Sequence, residues 1–152
     1  MQVKEILRIK GNTLYTVTPA TTLADAVVSM AEQDIGSVVV MEGGKLAGML
    51  TFREIIKVLA KRQQENRVGP TPTMSQIPVA EVMNAEPAIA TPEMDVDELR
   101  TVMIESHQRY MPVMEGTMLQ GVISFHDVAR AVLEEQAFEN RMLKGYIKNW
   151  PA

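Results

Sequence analysis

The stretch GMLTFRE at residues 48–54 recurs 73 positions later as GVISFHD at residues 121–127. Both stretches run from an apolar segment, typical of a buried strand, through a hydroxyl residue into a segment with helical spacing. The same offset relates VMEG at 40–43 to VMEG at 113–116, and it holds without a gap across residues 18–58. A register kept over about forty residues indicates two copies of one module.

Each copy predicts the same order of elements: a short strand, a helix, a two-stranded hairpin and a second helix. One copy of about sixty residues buries too little apolar surface to be stable alone. We therefore expect an α+β fold (β-α-β-β-α in each repeat) in which the two repeats pack sheet to sheet with pseudo-two-fold symmetry. The expected apolar first strands lie at 15–17 and 88–90, and the hairpin strands at 38–41, 46–51, 111–114 and 119–124.

The predicted domain organisation has four parts. Repeat 1 spans residues 1–62, a Gly- and Pro-containing linker spans 63–77, repeat 2 spans 78–134, and a helical extension spans 135–152. The apolar residues of the extension have two open interpretations: packing against the first repeat, or a contact between two copies of the chain.

Composition excludes several classes of function. The 152 residues include 15 Lys and Arg, 19 Asp and Glu, two His and no Cys, with a net charge of −4. This charge argues against a nucleic-acid or membrane partner, and the lack of cysteine excludes disulfides and thiolate catalysis. We expect no metal site and no catalytic residues. The N-terminal ten residues lack the apolar run of a signal peptide, so we expect a cytoplasmic protein.

The duplicated segments carry a resemblance to a known family. The pattern of Gly, two apolar residues, Thr or Ser, two variable residues and Asp resembles the CBS domain, here as a stand-alone tandem pair (a Bateman module). Arg109-Tyr110-Met111-Pro112-Val113 is similar to the family's entry into the second strand. One residue departs from the pattern, because Glu54 stands where the family usually has Asp.

Each duplicated segment, at residues 48–54 and 121–127, forms a corner between a strand and the helix that follows it. The chemistry of this corner has two interpretations. A hydroxyl at the start of a helix, beside free N–H groups and the positive end of the dipole, suits a phosphate. An acid three residues later suits vicinal ribose hydroxyls, and together these groups are typical of a nucleotide site. In the alternative interpretation, Thr51 and Ser124 are helix N-caps, and Glu54 and Asp127 complete capping boxes.

The resemblance implies two clefts, each formed between a corner of one repeat and a base-binding wall of the other. The set for cleft 1 is Thr51, Arg53, Glu54, Gln108, Arg109, Tyr110 and Met111. The set for cleft 2 is Asn12, Ile35, Gly36, Ser37, Val38, Ser124, His126 and Asp127.

The predicted function is an adenine-nucleotide-binding regulatory module that changes conformation or assembly when its ligand binds. AMP, ADP or ATP is the first expectation for the ligand, and NAD or S-adenosylmethionine the second. The expected partners are a second copy of the chain, as a homodimer, and a separate downstream protein. Two alternatives remain: a structural or interaction pair with empty clefts, and a weak nucleotide hydrolase.

Overall fold

The computed structural model describes residues 1–11, 13–65 and 73–148. The described residues form five α-helices, five strands and two short 3-10 turns. In chain order these are α1 (Val3–Lys10), β1 (Thr16–Val17), α2 (Leu23–Gln33), β2 (Ser37–Glu42), β3 (Lys45–Thr51), α3 (Phe52–Glu65), the turns Met74–Gln76 and Val79–Glu81, α4 (Val96–Ser106), β4 (Tyr110–Glu115), β5 (Met118–Ser124) and α5 (Phe125–Lys148).

The two sheets repeat one pairing scheme, which confirms the predicted α+β fold. β2 and β3 pair antiparallel with an irregularity after Val40, and β4 and β5 pair antiparallel with the same irregularity after Val113. β1 adds a parallel strand to the first sheet, whereas in the second sheet Ala90 makes only a single parallel bridge. The expected strand at 88–90 is shortened because the side-chain amide of Gln108 binds both backbone groups of Ala88.

Each core is completed by the segment at the start of the other repeat. Val3 and Ile6 of α1 are buried in the core of the second repeat, while Val79 is buried in the core of the first. Backbone hydrogen bonds fix this exchange, since Val3 N donates to Met94 O and Val79 N donates to Thr21 O. The two repeats of the sequence are therefore interlocked, although each covers a continuous stretch of chain.

The glycine of each duplicated segment makes room for the exchanged segment. A Cβ at Gly48 would lie 2.6 Å from the Asn84 carbonyl oxygen, and one at Gly121 would lie 2.8 Å from a methyl carbon of Leu7. Met49 and Asn84 also exchange two backbone hydrogen bonds of 2.9 Å. This close approach explains why glycine occurs at this point of both repeats.

The central strands are buried on both faces. Val38 and Val40 belong to the first core, and Val39 between them is also fully buried. Successive side chains of a strand point to opposite faces, so the burial of Val38, Val39 and Val40 means that both faces of β2 are covered. Long apolar runs rather than strict alternation are typical of such strands.

The end of α5 extends beyond the second core. Val128 and Ala131 are buried, but Phe138, Met142 and Leu143 are 56%, 61% and 59% exposed. The interpretation that these residues pack against the first repeat is therefore wrong for the single chain. The helices of the described ranges include none that is long and apolar enough to cross a membrane. Residues 66–72 of the predicted linker and 149–152 of the predicted extension lie outside the described residues.

Candidate functional site

Each strand-to-helix corner is held by hydrogen bonds between its hydroxyl residue and its acid. The backbone N and the Oγ1 of Thr51 donate to Glu54 Oε1 at 2.9 and 3.0 Å. At the second corner, Ser124 N donates to Asp127 Oδ2 at 2.9 Å, and Asp127 N donates to Ser124 Oγ at 3.1 Å. The structure therefore contains the capping interactions that the alternative interpretation predicts.

A hollow nevertheless opens in front of both corners. Cleft 1 has a volume of about 630 Å³ and cleft 2 a volume of about 490 Å³. Each combines the corner of one repeat with a wall from the other, since Thr51 and Tyr110 both line cleft 1 and Ser124 and Gly36 both line cleft 2. Capping and an accessible cleft thus coexist at each corner.

Cleft 1 brings together six of its seven predicted residues. These are Thr51, Arg53, Glu54, Gln108, Arg109 and Tyr110. The seventh, Met111, is fully buried in the second core, since the alternation of β4 turns it away from the side that Tyr110 occupies. The amide of Gln108 is committed to the backbone of Ala88 and Tyr110, so this residue shapes the wall.

The lining of cleft 1 is rich in cations. Arg53 Nη1 donates to His107 O at 3.4 Å, and Arg109 also lines the cleft. Lys57, four residues after Arg53 on α3, is a further lining cation that the sequence analysis missed, although its helical spacing was a signal. None of these three cations takes part in an ion pair with another described residue at 4.0 Å or less.

Cleft 2 gathers five of its eight predicted residues: Ile35, Gly36, Ser37, Ser124 and His126. Val38 is buried in the first core instead, for the same reason of strand alternation as Met111. Asp127 is not among the residues that line cleft 2, and its Oδ2 accepts a hydrogen bond from the backbone nitrogen of Ser124. Asn12 lies outside the described residues.

Lys10 is the main residue of cleft 2 that sequence reasoning missed. Its Nζ donates to Asp127 Oδ2 and to Val122 O, both at 2.7 Å. Burial raises the pKa of Asp127, but the hydrogen bonds from Lys10 and Ser124 and the charge of Lys10 outweigh it, so the pKa of Asp127 lies below its ordinary value. Lys10 and Asp127 are 117 residues apart in the chain, and only the exchange of α1 brings them together.

Arg109 and Tyr110 line both clefts and form the wall between them. A Cβ at Gly36 would overlap the Tyr110 hydroxyl, so the ring packs directly on the Gly36 backbone. An occupant of either cleft would contact the same two side chains. As for metals, the described residues contain no group of three or more His, Asp or Glu side chains arranged to hold an ion.

A family model for the CBS domain matches residues 3–61 and again 79–134. The chain therefore belongs to the CBS domain family, as a tandem pair. It is 31% identical over 114 residues to the CBS domain-containing protein YhcV of Bacillus subtilis, covering 75% of each chain.

Solved structures have the same fold. A CBS-domain containing protein from Agrobacterium tumefaciens is 29% identical with a TM-score of 0.75, covering 86% of this chain and 98% of that one. The CBS domain pair of protein MJ0100, in complex with 5′-methylthioadenosine and S-adenosyl-L-methionine, is 20% identical with a TM-score of 0.74, covering 89% and 98%. At 20% identity, the second likeness shows the fold alone.

Proposed function

We propose that this CBS pair is an adenine-nucleotide-binding regulatory module that changes conformation or assembly when its ligand binds. One observation carries the proposal. Both repeats present a hydroxyl and a carboxylate at the start of a helix, and both corners open into a cleft whose far wall belongs to the other repeat. A ligand that contacts both sides stabilises one arrangement of the two halves, in proportion to its difference in affinity between arrangements.

The phosphate of the ligand binds at the corner. The first N–H groups of α3 and α5 lie at the positive ends of their helix dipoles, which favours an anion. In cleft 1 the guanidinium groups of Arg53 and Arg109 add donors that suit phosphate oxygens. The cations of cleft 1 make it the stronger of the two phosphate sites.

The ribose binds at the acid. The capping bonds described above use Oε1 of Glu54 and Oδ2 of Asp127. A carboxylate has about four acceptor positions, so its second oxygen remains able to accept bonds from the ribose hydroxyls. The base lies against the shared wall, where Tyr110 provides an aromatic side chain for it to pack on.

The ligand is an adenosine-containing molecule, with AMP, ADP or ATP first and NAD or S-adenosylmethionine second. Cleft volumes of about 490 and 630 Å³ suit ligands of this size. The adenosine compounds bound by the CBS pair of protein MJ0100 support the same choice. The module acts by binding, without turning the ligand over, and passes its signal to a separate downstream protein.

The proposed assembly is a homodimer formed through α3 and α5. Phe52, Ile56 and Leu59 are at least 50% exposed and lie along one stripe of α3, and Phe125 at the start of α5 is 45% exposed. Self-association would bury these side chains. Light scattering should give a mass twice that of the chain, and Ile56→Lys should shift it to the monomer, whereas the exposed Val28→Lys on α2 should not.

A thermal-shift series with AMP, ADP, ATP, NAD and S-adenosylmethionine tests the binding function. A ligand at about 100 times its Kd stabilises by about 2.7 kcal/mol, which for a chain of this size raises Tm by about 5–10 °C. Glu54→Gln and Asp127→Asn should reduce this shift, and the exposed Glu32→Gln should leave it unchanged. If no ligand changes Tm, the pair is a structural or interaction module. Phosphate release with Mg²⁺ would identify a hydrolase instead.

A further inference from the structure

The corner of cleft 2 already contains a cation that belongs to the chain itself. Lys10, the last residue of α1, places its ammonium 2.7 Å from Asp127 Oδ2 and 2.7 Å from Val122 O. Its side chain is 39% exposed, that of Asp127 is 19% exposed, and Lys10 lines the cleft. The ammonium therefore bonds the acid that we propose as the ribose contact of cleft 2, through the same Oδ2 that accepts from Ser124 N.

Cleft 1 has no such arrangement among the described residues. The offset of 76 that relates Val3 to Val79 puts Glu86 at the position equivalent to Lys10. No ion pair of 4.0 Å or less reaches Glu54 from the described parts of the chain. The two corners are thus alike in backbone but differ in whether the acid is already paired.

We propose that Lys10 makes cleft 2 selective for anionic over neutral nucleosides, an inference that rests on the proposed function. The ammonium of Lys10 has three donors, and two of them bond Asp127 Oδ2 and Val122 O, so one remains for a ligand. Because Lys10 bonds Oδ2, the other oxygen of Asp127 can accept from a ribose without breaking the ion pair. A phosphate accepts the remaining donor in a charge-assisted hydrogen bond, which a neutral nucleoside cannot match.

The other charged groups that line the clefts do not explain why the selectivity for anionic nucleosides should be specific to cleft 2. Arg109 lines both clefts, so it favours an anion in each. Asp34 and His126 also line cleft 2, but among the described residues only Lys10 forms an ion pair with the acid of that corner. The selectivity specific to cleft 2 therefore depends on Lys10.

The test compares adenosine with AMP in the full chain. Amide resonances of Thr51 and Ser124 report cleft 1 and cleft 2 separately, so titration by NMR gives a Kd for each. The variants are Lys10→Gln, Lys10→Arg, which keeps the charge, and the matched control Lys4→Gln, an exposed lysine on the same helix. We expect Lys10→Gln to lower the AMP-to-adenosine affinity ratio at Ser124 about five- to tenfold without weakening adenosine. Lys10→Arg should keep most of the ratio, and Lys4→Gln all of it.

Two outcomes overturn the inference while leaving nucleotide binding intact. In the first, Lys10→Gln leaves the AMP-to-adenosine ratio at Ser124 unchanged, which includes an equal weakening of both ligands, as a purely structural lysine would produce. In the second, only the Thr51 resonance responds to any ligand. If neither resonance responds to either ligand in the wild type, the proposed function fails, and the selectivity fails with it.

Discussion

The two clefts share one backbone and differ in their side chains. The same backbone hydrogen bond recurs within each repeat and ties its second helix to the residue before its hairpin, from Phe52 N to Gly36 O and from Phe125 N to Arg109 O. The equivalent positions have nevertheless diverged in charge and size. At the corners, Thr51, Arg53 and Glu54 of repeat 1 correspond to Ser124, His126 and Asp127 of repeat 2. At the walls, Gly36 and Ser37 of repeat 1 correspond to Arg109 and Tyr110 of repeat 2. Duplication thus preserves the backbone geometry that we propose for phosphate binding, while substitutions give each cleft its own electrostatics.

The largest expected difference between the two halves concerns their glycines. Gly48→Ala should lower the free energy of unfolding by about 2–3 kcal/mol, because the new Cβ meets a backbone carbonyl that cannot move away. Gly121→Ala should cost about 1 kcal/mol or less, since it meets the flexible end of Leu7. Urea unfolding of both variants measures the difference. Equal losses would show that the exchanged segments pack with the same rigidity in both halves.

The next effect is on nucleotide affinity. Arg53→Gln should weaken AMP at cleft 1 about tenfold, because it removes a charged donor to phosphate. The equivalent His126→Gln should change cleft 2 by less than about twofold, because a histidine lacks the paired donors of a guanidinium. Titration followed at the Thr51 and Ser124 amides separates the two Kd values. A larger loss at cleft 2 would reverse the proposed order of the phosphate sites.

A smaller effect concerns stability and pH. The pKa of Asp127 is lowered in the folded chain, so the ionised carboxylate stabilises the folded protein at pH values above the ordinary pKa of 3.8. This stabilisation is lost as the pH falls through the pKa of Asp127 in the folded chain. The free energy of unfolding of Lys10→Gln should therefore be about 0.5–1 kcal/mol lower than that of the wild type at pH 7. This difference should be smaller at pH 3. Urea unfolding at both pH values, with Lys4→Gln as control, measures it. A difference in the free energy of unfolding that stays constant with pH would show that it does not come from the ion pair.

The smallest expected effect comes from restoring the usual acid of the family. Glu54→Asp should change the free energy of unfolding by less than about 0.5 kcal/mol. Asp127 reaches the strand N–H at the same 2.9 Å as Glu54 does, so both acid lengths fit the corner. Chemical denaturation measures stability, and AMP titration at the Thr51 amide measures binding. A loss of affinity above about threefold would show that the ribose depends on the longer acid.

Much of the fold could be predicted from the repeat. Two matching segments at one offset predicted both hairpins and the helices that follow them. The structure has the hairpins as β2–β3 and β4–β5, followed by α3 and α5. The strand at 88–90 was not predicted correctly, because the side chain of Gln108, far along the chain, binds the backbone of Ala88. Periodicity reports local preference, and a distant side chain can override it.

The residues of the candidate site likewise divide into those that the sequence predicted and those that it did not. Corner residues such as Thr51 and Ser124 stand out because they are duplicated, and both line clefts. Met111 and Val38 were assigned to cleft walls but lie in the cores, since the face of a strand that a residue occupies depends on register. Lys10 carried no signal at all, because nothing in the sequence says which repeat α1 packs against.

The sequence by itself determined the number of repeats, the order of their elements and the hydroxyl and acid at each corner, because these follow from local periodicity and from a register shared by two segments. Only the tertiary structure decided the exchange of α1 and the Val79 segment between cores, the wall that Tyr110 makes on Gly36, and the pairing of Lys10 with Asp127. Such contacts join residues far apart in the chain. They depend on which surfaces bury the most apolar area together, and that choice is made by the whole fold.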